Sequence, residues 1–144
     1  RAGGLGLIAA CDLAVAGAGA TFAFTEARLG LAPAVISLPV LARADPRAVA
    51  RYFLTGETFG PGEAVGMGLV TAPDEALDAI LDGLRSGSPQ GLAESKALTT
   101  RRLRTALDEG GADMVAVSAR LFASAEAAEG MCAFLDRRRP SWTS

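Results

Sequence analysis

The sequence predicts an α/β (α+β) chain in which a few short strands near the N-terminus give way to a long run of helices. Three observations carry this prediction. The apolar stretches before Glu26 are short and punctuated by Gly17 and Gly19, as strands joined by a turn require. From Asp45 onward, the pairs Asp45-Pro46 and Ser88-Pro89 stand before apolar residues at helical spacing. Half of the 144 residues are hydrophobic, and a domain of about 150 residues buries roughly 68–70% of its unfolded surface, so one sizeable core is within reach.

Taken in order, Gly4 to Ala10 is small and apolar all round, which predicts a buried, closely packed helix. Leu13 to Ala16 and Thr21 to Phe24 read as strands, with Phe22 and Phe24 on one face of the second. Asp45-Pro46 supplies an N-cap and a first helical residue, followed by a stripe of Val49, Ala50, Phe53 and Leu54 that stops near Gly56. Pro61 opens a short helix ending around Gly66 to Gly68, and Leu69 to Thr71 reads as a strand or extended crossing. Pro73 opens a helix carrying Leu77, Ile80, Leu81 and Leu84. Ser88-Pro89 opens a longer one with Leu92, Leu103 and Leu107, which Gly110-Gly111 is expected to break. Met114, Val117 and Leu121, then Ala128, Met131 and Leu135, mark two final amphipathic helices ending by Pro140.

Charge and composition narrow the function. Fourteen basic against sixteen acidic residues give a net charge of −2, with no basic surplus of the kind a nucleic-acid footprint needs. Leu5 to Ala16 is apolar but short and interrupted by Asp12, so no membrane span is expected. Cys11 and Cys132 are far apart and form no CxxC pair, so neither a metal site nor a disulfide is indicated and a cytoplasmic setting is expected. The chain has no histidine. Ser-His and Cys-His nucleophile pairs and HExxH zinc sites are therefore outside what it does alone, and carboxylates remain as acid/base groups.

Two features could carry chemistry. Gly3-Gly4 enters an apolar helix, and the unpaired N–H groups of a helix start favour an anion. Glu26 lies among Phe22, Phe24, Leu29 and Leu31, and an apolar setting disfavours the charged form of a group that must both take and give a proton. Each also has a plain structural reading: Gly3-Gly4 as a device for tight packing, Glu26 as a carboxylate paired with Arg28 or capping a turn through Thr25.

The order of short motifs decides between these readings. GGLGLIAACD, then Glu26 before Leu29-Gly30, then Leu54-Thr55-Gly56, Glu63-Ala64 with Gly68-Leu69-Val70, the segment Glu94 to Thr99 around Lys96, and Glu129-Gly130 with Ala133-Phe134-Leu135 run along essentially the whole chain. Together they resemble the enoyl-CoA hydratase/isomerase (crotonase) family. The resemblance implies a crotonase-like spiral of ββα units, with residues 1–72 as the C-terminal part of that core and residues 73–144 as a helical C-terminal region. It implies that the chain corresponds to about the C-terminal half of a member, with the other oxyanion loop and much of the CoA-binding surface expected upstream of Arg1. It implies an acyl-CoA thioester as substrate, no cofactor beyond the CoA of the substrate, and a homotrimer or homohexamer.

On this resemblance Gly3 supplies the oxyanion-hole N–H for a thioester enolate, a donor typically worth ~2.7–4 kcal/mol, and Glu26 transfers the proton. Gly4, Gly6 and Pro33 are expected to line the substrate site. Position 6 departs from the family: hydratases carry a second glutamate there, and Gly6 has no side chain. Isomerisation needs one base, so Gly6 favours isomerase-type chemistry; a hydratase that holds its water differently, a non-catalytic acyl-CoA binder and an oligomerisation piece are the alternatives. Ala32 to Pro39 replaces the glycine-rich stretch of many members with bulkier apolar residues, which reshapes the acyl pocket. Arg101, Arg102 and Arg104, and Arg137 to Arg139, read as solvated faces or CoA-phosphate contacts. Asp12, Phe134 and Trp142 read as structural.

Overall fold

The computed structural model describes residues 1–143. Helices α1 (Gly3–Ala10), α2 (Ala34–Arg43), α3 (Pro46–Thr55), α4 (Pro61–Gly66), α5 (Leu77–Ser86), α6 (Pro89–Phe122) and α7 (Ala125–Leu135) are joined by two short strands, β1 (Val15–Ala16) and β2 (Ala72–Pro73), and by 3-10 turns at Glu26–Leu29 and Asp74–Ala76. The strands pair in parallel, Val15 with Ala72 and Ala16 with Pro73. The helices between them cross from one to the other, as a parallel pair demands.

Where the sequence carried a cap signal, the helix begins as read. The Asp45 side chain accepts from the Ala48 N–H at 2.8 Å and Ser88 from Gly91 at 3.1 Å; Ser124, for which no cap was expected, accepts from Ala127 at 3.1 Å. Each satisfies one of the N–H groups a helix start leaves free. Glu63 reaches back to the Gly60 N–H at 3.1 Å, closing the start of α4.

Several readings are corrected. Thr21 to Phe24 is not a strand of its own; it contributes a single antiparallel bridge, Phe22 to Phe59. Leu69 to Thr71 is the approach to β2, with the Thr71 N–H donating to the Ala14 carbonyl at 2.8 Å. Pro73 therefore ends a strand, and its helix starts at Leu77 after a 3-10 turn. The inner positions of α3 are Val49 and Tyr52, while Ala50 and Leu54 face outward. No residue of α5 is fully buried, so its leucine stripe is only partly covered.

Two corrections bear on the site. Ala34 to Arg43 is a helix, for which the sequence carried no reading. Pro33 stands at the N-cap and Pro39 sits inside, giving up one hydrogen bond of a ten-residue helix. Gly110-Gly111 does not break α6, which runs unbroken for 34 residues, about 50 Å. A Cβ on Gly110 would meet Leu38 Cδ2 of α2 at 2.9 Å, so this glycine marks where the two helices press together.

The core sits under α1, α3 and α4. Leu5, Val40, Val49 and Phe24 are its largest fully buried side chains. Phe24 packs edge-on against Phe53 at 4.7 Å between centroids, and Tyr52 lies 4.2 Å from Phe59, which stacks on Phe22 at 5.5 Å. Such aromatic pairs are worth about 0.5–1.5 kcal/mol beyond the area they bury. Among the described residues no helix is long and apolar enough to cross a membrane.

Candidate active site

The first turn of α1 is set by Ala2, whose φ of 49° and ψ of −134° place it in a region L-residues rarely occupy. The Gly4 and Leu5 N–H groups fold back to the Arg1 and Ala2 carbonyls at 3.2 and 3.0 Å. Among the described residues the Gly3 N–H has no hydrogen-bond partner. No atom beyond its own turn lies within 4 Å of where a Gly3 Cβ would stand, and Gly3 lines a cavity.

Glu26 begins the 3-10 turn that follows the aromatic core. Its Oε2 is buried and has no hydrogen-bond partner among the described residues. A buried carboxylate oxygen without a partner costs free energy, and such groups call for an explanation in function or in a bound species. The structural pairing with Arg28 does not form, because Arg28 Nε donates to the Thr55 carbonyl at 2.9 Å instead. Nor does the Thr25 side chain cap the turn.

The turn is clamped on both sides. Arg28 lies over Gly56, where φ is 64° and a Cβ would meet Arg28 Nε at 2.7 Å. On the other side the turn meets α7 almost backbone to backbone. A Cβ on Gly30 would fall 2.6 Å from the Glu126 carbonyl carbon, and one on Gly130 would fall 2.5 Å from that of Leu29. Glu26 is thereby fixed between α3 and α7.

Gly3 and Glu26 open into the same cavity of about 350 Å³. Ala2, Thr25 and Leu29 also line it. The apolar wall comes from Leu31, Pro33, Val35 and Ile36 before and within α2, from Phe122 at the end of α6, and from Met131 of α7. Pro33, expected at the substrate site, lines this cavity. Gly4 is exposed beside the cavity, and Gly6 is buried behind Ile36, whose Cγ2 lies 2.7 Å from the place of a Gly6 Cβ. A free N–H donor, one unpaired carboxylate and an apolar sleeve can hold an anionic oxygen and move a proton along a neighbouring carbon chain.

Ile36, Ser118, Phe122, Met131 and Gly130 were not singled out as site residues in the sequence. Ile36 lies in the Ala32 to Pro39 stretch read as reshaping the pocket and Gly130 in one of the motifs; Ser118, Phe122 and Met131 come from helices distant along the chain. Asp12 pairs with Lys96 at 2.7 Å, tying the loop after α1 to α6. Phe134 is 70% exposed, at the rim of a second cleft shared with Thr25, Arg28 and Arg138, and so is not the packing residue expected. Trp142 is also largely outside the core. Of the basic clusters, Arg102 donates to the Leu41 carbonyl at 3.3 Å and Arg138 clasps Glu129 at 2.7 Å.

The sequence matches the enoyl-CoA hydratase/isomerase family over residues 1–144, and the chain belongs to that family. Its fold is that of solved crotonase-type enoyl-CoA hydratases. The crystal structure of an enoyl-CoA hydratase from Mycobacterium avium superposes with a TM-score of 0.94 at 52% identity, covering 99% of this chain and 59% of that one. Among curated relatives, the mitochondrial enoyl-CoA hydratase domain-containing protein 3 of Mus musculus is 35% identical over 99% of this chain and 49% of its own. The carnitinyl-CoA dehydratase of Proteus mirabilis is 28% identical over 97% of this chain. The chain spans 58% of the length of that dehydratase.

Proposed function

We propose that the chain carries the enolate-stabilising and proton-transferring residues of an acyl-CoA-processing enzyme. The Gly3 N–H holds the thioester oxygen as it becomes an enolate. Glu26 takes a proton from C2 of a 3-enoyl thioester, the C2–H electron pair moves into the enolate, and the same carboxyl returns the proton to C4 as the double bond shifts to C2–C3. The observation that carries this reading is the buried, partnerless Glu26 Oε2 in a cavity that also opens on Gly3. The reaction needs no metal or redox cofactor, and we propose that a cytoplasmic homotrimer or homohexamer performs it.

One glutamate in the cavity supports isomerase-type chemistry, since hydration also needs a water held in line for attack. The second reading, a hydratase that orients water through other groups, is favoured by the names of the relatives. The two are separated by following 3-enoyl-CoA isomerisation and 2-enoyl-CoA hydration through the absorbance of the conjugated thioester. Isomerisation is expected to be the faster; efficient hydration with no isomerisation would reverse the assignment. In either case Glu26→Gln keeps the shape and removes the base, and turnover should fall by about 10²–10⁴ with acyl-CoA binding retained. Unchanged turnover in that variant would remove Glu26 from the mechanism.

A further inference from the structure

Gly3 and Gly6 are three residues apart in α1 and share one face of the helix. Gly3 opens on the cavity, but Gly6 does not, because Ile36 of α2 stands against it. The contact is tight: from the place of a Gly6 Cβ, Ile36 Cγ2 is 2.7 Å away, its Cβ 3.1 Å and its Cα 3.6 Å. Ile36 also lines the cavity, so one side chain touches both Gly6 and the space beside Glu26. A β-branched residue in a helix has essentially one χ1 available, so Ile36 cannot swing aside without moving α2. α2 is in turn held at its C-terminal end, where Arg43 donates to the Ala9 and Cys11 carbonyls of the α1 end at 3.3 and 3.2 Å and to Thr99 of α6 at 3.3 Å.

We infer that Ile36 is a specificity-determining residue of this site, and that Gly6 and Ile36 act as a pair. Ile36 occupies the path by which a side chain at position 6 would reach the cavity. It presents an apolar surface where a second carboxylate could hold water, and so confines the site to one-carboxylate chemistry. The glycine at position 6 is the partner that lets Ile36 come this close. The inference rests on the acyl-CoA reading above and deepens it: substitution at position 6 alone cannot change the reaction type while Ile36 remains.

Four proteins test this: the parent, Gly6→Glu, Ile36→Ala and the double variant, each measured for thermal midpoint, 3-enoyl-CoA isomerisation and 2-enoyl-CoA hydration. Gly6→Glu alone is expected to lower the midpoint strongly without gaining hydration. In the Ile36→Ala background the same change should cost less stability and raise hydration on the order of 10²-fold, the lower end of what a positioned carboxylate supplies. If Gly6→Glu changes midpoint and hydration equally in the two backgrounds, the residues are independent and the inference is overturned. A folded double variant that hydrates no faster than the parent overturns it too. A parent protein inactive on both substrates sinks the acyl-CoA reading itself, which is a separate result.

Discussion

Glu26 can stay unpaired only because its backbone is not free to relax. Gly30 and Gly130 let the 3-10 turn and α7 meet at distances no Cβ would permit. Gly130→Ala forces its methyl against the Leu29 carbonyl, and overpacking of this kind typically costs 1–3 kcal/mol. The expected outcome is about that loss of stability in chemical denaturation, with a fall in kcat as Glu26 is displaced. Gly111→Ala serves as the control: its Cβ meets nothing within 4 Å, and a helical Gly→Ala change is worth up to about 1 kcal/mol in the stabilising direction. Equal behaviour of the two variants would show that the α7 contact does not hold the turn. Glu26 and Gly3 could be singled out in the sequence because they fall within an ordered run of motifs. The contacts of Ile36 and Gly130 could not, since each is with a neighbour 30 or 101 residues away in the chain.

At the scale of elements, legibility followed the caps. Asp45 and Ser88 bond locally, within three residues, so a short window of sequence contains the whole interaction. α2 and the middle of α6 depend on each other instead. Proline and glycine signals that end an isolated helix are overridden there by burial of one helix against the other, with Leu38 seated on Gly110. The end of α7 holds a different local device. Glu129 accepts from Arg138 at 2.7 Å and from the Ser141 N–H at 2.9 Å, folding residues 138–141 back onto the helix. Hydrogen bonding from the Arg138 guanidinium, and then from Ser141, holds the Glu129 carboxyl at about 2, well below its ordinary 4.5. A carboxyl depressed in the folded state contributes stability above its unfolded value and loses it as pH falls through the folded one. The clasp should therefore be intact above pH 4.5 and weaken progressively toward pH 2. Its groups are solvated, so the effect is modest. Urea midpoints across that interval should fall less steeply in Glu129→Gln than in the parent; identical slopes would show that the clasp does not contribute.

The whole molecule leaves apolar surface in excess of its own core. Leu54 is 79% exposed and Leu135 76%, and Val115, Phe122 and Phe134 are more than half exposed. Apolar side chains left uncovered in this way are available to an association surface. The proposed trimer or hexamer should be visible by light scattering at working concentration, and a monomer there would refute it.

α6 also works as a ruler for the molecule. Along its length it meets, in sequence order, Asp12 through Lys96, Arg43 through Thr99, Leu41 through Arg102, Leu38 through Gly110, and finally the cavity through Ser118 and Phe122. Each successive residue of an α-helix is turned by about 100° from the last and advanced by about 1.5 Å. A single residue added or lost between Gly110 and Ser118 would leave every side chain identical and the helix unbroken. It would nonetheless carry Ser118 and Phe122 a quarter-turn away from Glu26. A flexible break at the glycine pair would have absorbed such a change; a continuous rod transmits it. The number of residues between these two points is therefore as much a part of the cavity as the residues themselves.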